Sequence, residues 1–313
     1  MKLSTLVHYR NHLVQKAPKD VETLIRNHVG PSFHLVDTHT LQYEDLTRQI
    51  NSNLEEITAA FDRYSSTIDQ VLEKIQSDID AIESKYFAES YRLYENDFQR
   101  DSVDYTLNRR LGLDQEQQNY LRARIRLHGD WHFAGMIIRP GKEPWIHDLL
   151  GCDPLYLIDT KPELIMPTVE QFTELYQNRL RIYSIRESDE SMLHSIPSEQ
   201  FGFCLVYNFF NYKPFEIIKK YLGEIFTKLK PGGTLSCTFN NCDLVGGVEL
   251  VERKFMCYTP ARLLFALCEN IGFEVGETHQ LDAACTWVEL KKPGTLSSIR
   301  GGQALAKIIA KSK

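Results

Sequence analysis

The chain is 313 residues long, carries a formal net charge of -6 at pH 7 and is 42% hydrophobic. That acidic balance argues against a general attraction for nucleic acid or acidic membranes, and the length allows one α/β domain plus an extension. No apolar run is long enough to span a bilayer and no signal peptide is recognisable, so a cytoplasmic protein is expected.

Residues 1–40 hold two short helical candidates, Leu3 to Gln15 and Val21 to Val29. From residue 41 to 110 the pattern changes. Apolar residues fall at Ile50, Leu54, Ile57, Phe61, Tyr64, Ile68, Val71, Ile75, Ile79, Ile82 and Tyr86, in steps of three and four, and no proline or glycine interrupts Leu41 to Arg109. This heptad-like seam predicts a coiled coil. A helix of about sixty residues would be on the order of 90 Å long, so it needs a partner. Self-association into a homo-oligomer through residues 41–100 is the expectation, and a face offered to other proteins would look the same in sequence.

Residues 111–129 read as a helical linker. Asp114 is placed to cap a helix through Leu127, with Gln117 completing a capping box. Arg122, Arg124 and Arg126 on this helix do not form one stripe, and are read as solvated or paired charges rather than a nucleic-acid site.

Residues 130–294 alternate apolar runs with helical patterns. Met136 to Thr160 contains an apolar run, a Pro-Gly turn, a short helical segment and a second apolar run ending in Asp159. A carboxylate at such a strand tip can accept hydrogen bonds from both hydroxyls of a ribose, although aspartate is also common where strands simply stop. Further strands are expected at Leu180 to Ile185, Phe203 to Asn208, Thr234 to Phe239, Phe273 to His279 and Cys285 to Leu290. Helices are expected at Pro214 to Leu229, stopped by Pro231, Gly232 and Gly233, and at Pro260 to Ile271. Such alternation predicts a parallel sheet covered on both faces. The seven cysteines, Cys152, Cys204, Cys237, Cys242, Cys257, Cys268 and Cys285, contain no CxxC pair. Reduced, mostly buried thiols are expected, and no metal site. Residues 295–313 form a basic tail with Lys307, Lys311 and Lys313, read as a frayed terminus.

The strand, Pro-Gly turn, helix and strand ending in Asp159, the LKPGGTL run at Leu229 to Leu235, and GFEV at Gly272 to Val275 together resemble the class I S-adenosylmethionine-dependent methyltransferases. The resemblance covers roughly Asp130 to Gly294. It implies a Rossmann-like α/β domain with a seven-stranded sheet, an antiparallel last strand, and S-adenosylmethionine across the tips of the first, second and fourth strands. By the same resemblance Pro140 and Gly141 form the turn under the methionine part of the cofactor and Asp159 takes the ribose hydroxyls. Asn208 would face the methyl donor, Phe209 and Phe210 beside it would wall the site, and Glu187 or Asp189 would contact the adenine amine. The aromatics also read as ordinary core, and the acidic residues as a solvated loop.

Arg139 and Glu143 depart from the family pattern, which usually has glycines there. Arg139 could crowd the cofactor or hold its carboxylate, since guanidinium pairs well with carboxylates. Methyl displacement from a sulfonium depends mainly on proximity and alignment, so the absence of a triad excludes nothing. His132, His147, His194, His279 and Tyr258 are candidate bases that no spacing separates. Asn211 to Phe215 (NYKPF) lacks the first proline of the amino-group DNA methylase tetrapeptide and is rejected as that motif. The expectation is a methyltransferase acting on a small-molecule or protein acceptor; the alternative is an inactive methyltransferase-like scaffold that oligomerises within a larger assembly.

Overall fold

The computed structural model describes residues 2–17, 43–96, 111–141 and 144–296. The chain divides into two compact units, residues 1–84 and 85–313. The helical candidate at Val21 to Val29, residues 97–110 at the expected end of the long helix, and the basic tail lie outside the described residues.

α1 (Leu3–Lys16) precedes α2 (Tyr43–Asn96), one unbroken helix of 54 residues, of which those from Lys85 on are counted with the second unit. At 1.5 Å per residue α2 is about 81 Å long. The run Ser65-Ser66-Thr67 does not break it, because the Thr67 hydroxyl donates back to the Arg63 carbonyl at 2.8 Å and so stays within the helix. Arg10 on α1 donates to Gln76 on α2 at 3.2 Å.

The second unit contains α3 (Gln115–His128), β1 (Ala134–Ile138), a 3-10 helix (Pro144–Gly151), β2 (Leu155–Asp159), α4 (Pro162–Val169), the single turn α5 (Glu174–Gln177) and β3 (Leu180–Ser184). It continues through β4 (Phe201–Val206), a 3-10 turn (Phe210–Tyr212), α6 (Phe215–Lys228), β5 (Leu229–Asn240), α7 (Val245–Glu252), α8 (Ala261–Ile271), β6 (Glu274–Gln280) and β7 (Cys285–Lys291). The strands form one seven-stranded sheet in the order β3-β2-β1-β4-β5-β7-β6, with β7 antiparallel to both neighbours. This is the α/β topology that the resemblance implies.

The central strands are buried along their whole length, as apolar strands covered on both faces should be. Alternation splits their side chains between two cores. Met136, Ile138, Ile158 and Val206 pack with α6 and α8 through Ile218, Leu222, Ile225 and Leu264. Ile137, Leu157 and Leu205 pack on the other face with Leu121 and Ile125 of α3 and Ile165 of α4. Gly272 ends α8 at φ 110, the left-handed cap that glycine tolerates.

The predicted capping box is present: Gln117 N donates to Asp114 Oδ1 at 2.8 Å and Asp114 N to Gln117 Oε1 at 2.9 Å. The three arginines of α3 are paired. Arg122 and Arg126 meet Asp148 at 2.7 and 2.6 Å, and Arg124 clamps Glu289 of β7.

One element is placed differently from its sequence reading. Pro231, Gly232 and Gly233 do not stop a helix; α6 ends at Lys228 and β5 already begins at Leu229. Leu229 pairs with Phe201 and Thr234 with Phe203, so the Pro-Gly-Gly run is surplus length in a bulged strand, with Gly232 at φ 80. The short helices α4 and α7 went unread in the sequence. All seven cysteines are buried. No helix among the described residues is long and apolar enough to cross a membrane.

Candidate functional site

The sheet reverses its winding between β1 and β4, and in open α/β sheets ligands lie at such a switch point, outside the carboxyl ends of the strands. Arg139 follows β1 there. Its backbone N–H donates to the Ile158 carbonyl at 2.8 Å, continuing the β1–β2 pairing, and its φ of 57 is a left-handed value that a side chain with a β-carbon rarely adopts. Held in that conformation, the side chain meets the tip of β2: Arg139 Nε lies 2.8 Å from Asp159 Oδ2, with the two side chains 5% and 0% exposed. Arg139 Nη2 also donates to Thr160 Oγ1 at 3.3 Å. Its guanidinium lies 5.0 Å from the centre of the Phe209 ring, within cation–π range.

The other oxygen of Asp159 is also engaged. Oδ1 accepts from Thr160 N at 2.6 Å, Thr160 Oγ1 at 3.2 Å and Lys161 N at 3.4 Å. Burial pushes the Asp159 carboxyl above the ordinary carboxylate range, against the pull of Arg139 and of these N–H groups. The Pro140–Gly141 turn sits beside the pair, with the Gly141 carbonyl accepting from Thr168 Oγ1 of α4 at 2.9 Å. Glu143 lies outside the described residues.

A second buried ion pair flanks the same ring. Lys213 Nζ lies 2.8 Å from Glu187 and 4.9 Å from the centre of Phe209. Glu187 also accepts from Tyr221 OH at 2.8 Å and from Tyr94 OH. Glu187 is therefore no solvated loop residue. Burial works to raise its pKa, but the Lys213 ammonium and these hydrogen bonds outweigh burial and hold the carboxyl below its ordinary range. Burial, with Glu187 adding to it, raises the Tyr221 phenol well above its usual value.

Asn208 stands at the tip of β4 with φ 48. Its N–H donates to Thr238 Oγ1 at 2.7 Å, and its buried Oδ1 has no hydrogen-bond partner among the described residues. Phe209 and Phe210 are both buried, and Phe209 meets Tyr221 edge-on at 5.2 Å.

The structure thus brings Arg139, Asp159, Glu187 and Phe209 into one connected cluster. The candidate bases are engaged elsewhere: His132 with Asp130, His194 with the Ser191 carbonyl, His147 against Phe172, His279 stacked on Tyr120, and Tyr258 between Tyr86 and Phe87. Lys213, Tyr221 and Tyr94 went unread in the sequence. Lys213 lies within NYKPF, and its spacing to Glu187 carries no signal; Tyr94 comes from the last turns of α2.

No family model and no curated protein matches the chain. Solved structures resemble it at low identity. A SAM-dependent methyltransferase from Aquifex aeolicus is 14% identical over 65% of this chain and 98% of its own, with a TM-score of 0.42. The N-methyltransferase NodS from Bradyrhizobium japonicum WM9, in complex with S-adenosyl-L-homocysteine, is 14% identical over 66% and 98%, with a TM-score of 0.43. The [4+2]-cyclase SpnF is 12% identical over 58% and 83%, with a TM-score of 0.47. Likeness at this level identifies neither a cofactor nor a substrate.

Whether the residues fit S-adenosylmethionine turns on Asp159. Its side chain is fully buried, one oxygen faces Arg139 and the other takes local N–H groups. In this arrangement neither oxygen is open to ribose hydroxyls, so the residues as placed do not fit the cofactor.

Proposed function

We propose that the chain is a class I-type S-adenosylmethionine-dependent methyltransferase acting on a small-molecule or protein acceptor. The observation that carries this reading is the position of Asp159. It is a carboxylate at the carboxyl end of β2, beside the Arg139–Gly141 turn, at the switch point of a sheet ordered β3-β2-β1-β4-β5-β7-β6. Binding requires Arg139 to leave Asp159. Seven buried cysteines support a reducing, cytoplasmic setting. Self-association through residues 41–100 belongs to the same reading, supported by the unbroken α2 with its repeating apolar seam.

The test is calorimetric titration of the folded protein with S-adenosylmethionine and with S-adenosylhomocysteine. Saturable binding is expected. If the folded protein takes up neither at millimolar ligand, as wild type or with Arg139 replaced by glycine, the reading fails.

A second reading, a scaffold that has kept the fold without its activity, is favoured by the Arg139–Asp159 pair itself. In that reading the carboxylate serves only to neutralise a buried cation.

A further inference from the structure

We propose that Arg139 is an internal plug of the nucleoside site: its guanidinium takes the Asp159 carboxylate that a ribose would take, and the site admits S-adenosylmethionine only when Arg139 has turned away. This rests on the methyltransferase reading above and adds to it a residue that sets when the site can bind.

Three observations carry the inference. Arg139 occupies a backbone position with φ 57, where glycine would sit without strain, so a plain turn gains nothing from an arginine there. The ion pair it forms is buried on both sides, and a buried pair is a poor way to add stability, since desolvating two charges offsets their attraction. Finally, the cation lies at the switch point, packed on Phe209, whose ring also faces Lys213 in its pair with Glu187. Both carboxylates to which the resemblance assigns ribose and adenine contacts are thus matched by cations of the chain itself.

A protein whose binding-competent state is only partly populated binds its ligand more weakly by that fraction. Removing the plug removes the penalty. Arg139→Gly is the direct variant, because glycine accepts the left-handed backbone, and its folding is checked by thermal unfolding. Should the lone Asp159 carboxylate prevent folding, Arg139→Lys serves instead: it keeps a positive charge and loses the guanidinium fork that reaches Asp159 and Thr160 together.

The probe is S-adenosylhomocysteine, titrated calorimetrically into the full chain as wild type and variant. The expected result is binding at least about tenfold tighter in the variant, the change anticipated when a mostly closed site is opened. Equal or weaker binding in the variant would overturn the plug and leave the methyltransferase reading standing. No binding to any folded form at millimolar ligand would overturn both.

Discussion

Asp159 and Arg139 lie twenty residues apart in sequence and 2.8 Å apart in the fold, each the other's buried counter-charge. Removing one partner of such a pair leaves an uncompensated charge in a dry environment. Asp159→Ala should therefore lower stability by about 3 to 5 kcal/mol, measured by urea unfolding, and adding Arg139→Gly should recover much of that loss because the two residues act as a unit. Fully additive losses would mean that the pair is not coupled. The carboxylate was legible in the sequence, since an apolar run ending in aspartate announces a strand tip. The direction of Arg139 was not, because nothing in RPG states that the arginine adopts φ 57 and faces the next strand. Lys213 was hidden for another reason: its partner Glu187 lies across a strand and a turn, and only the fold brings them together.

Among the elements, α3 shows how a surface-looking helix is fixed to the sheet. Arg124 clamps Glu289 of β7, His128 lies 2.9 Å from the same carboxylate, and Trp287 Nε1 donates to it at 3.2 Å. Burial works to raise the Glu289 pKa, yet the hydrogen bonds from Arg124 and His128 lower it from 4.5 to about 2. A carboxyl depressed by folding contributes stability that is complete above its unfolded pKa and is lost as pH falls toward the folded one. The contribution is about 3 kcal/mol. Thermal unfolding followed from pH 6 to about 2 should show this loss below about 4.5, and Glu289→Gln should flatten that limb of the curve. An unchanged acid limb in the variant would refute the clamp.

The capping box that opens α3 was readable residue by residue, because capping is local chemistry. The ion pairs that hold the helix down were readable only as a choice between solvated and paired arginines. Pro231 to Gly233 misled for the opposite reason: the run has the composition of a turn, and only strand pairing shows that it is a bulge inside β5.

On the scale of the whole molecule, the alternation of strands and helices disclosed the α/β class, and the resemblance to methyltransferases disclosed the seven strands with the last one antiparallel, while the strand order came only with the fold. The long apolar seam of α2 makes a separate prediction about assembly. Ile57 and Ile68 are only half-buried within one chain. If copies associate along this seam, Ile57→Glu with Ile68→Glu should convert the oligomer to a monomer in sedimentation equilibrium while the circular dichroism of the α/β domain stays unchanged. A monomeric wild type would refute self-association.

The central claim is that a nucleoside site exists at the tips of β1 and β2 and is held closed by Arg139. A crystal structure grown with S-adenosylhomocysteine tests it most directly. The predicted result is ribose hydroxyls on Asp159 with the Arg139 side chain turned away from it. Ligand bound while the Arg139–Asp159 pair stays intact, or no ligand at these strand ends at saturating concentration, would contradict it.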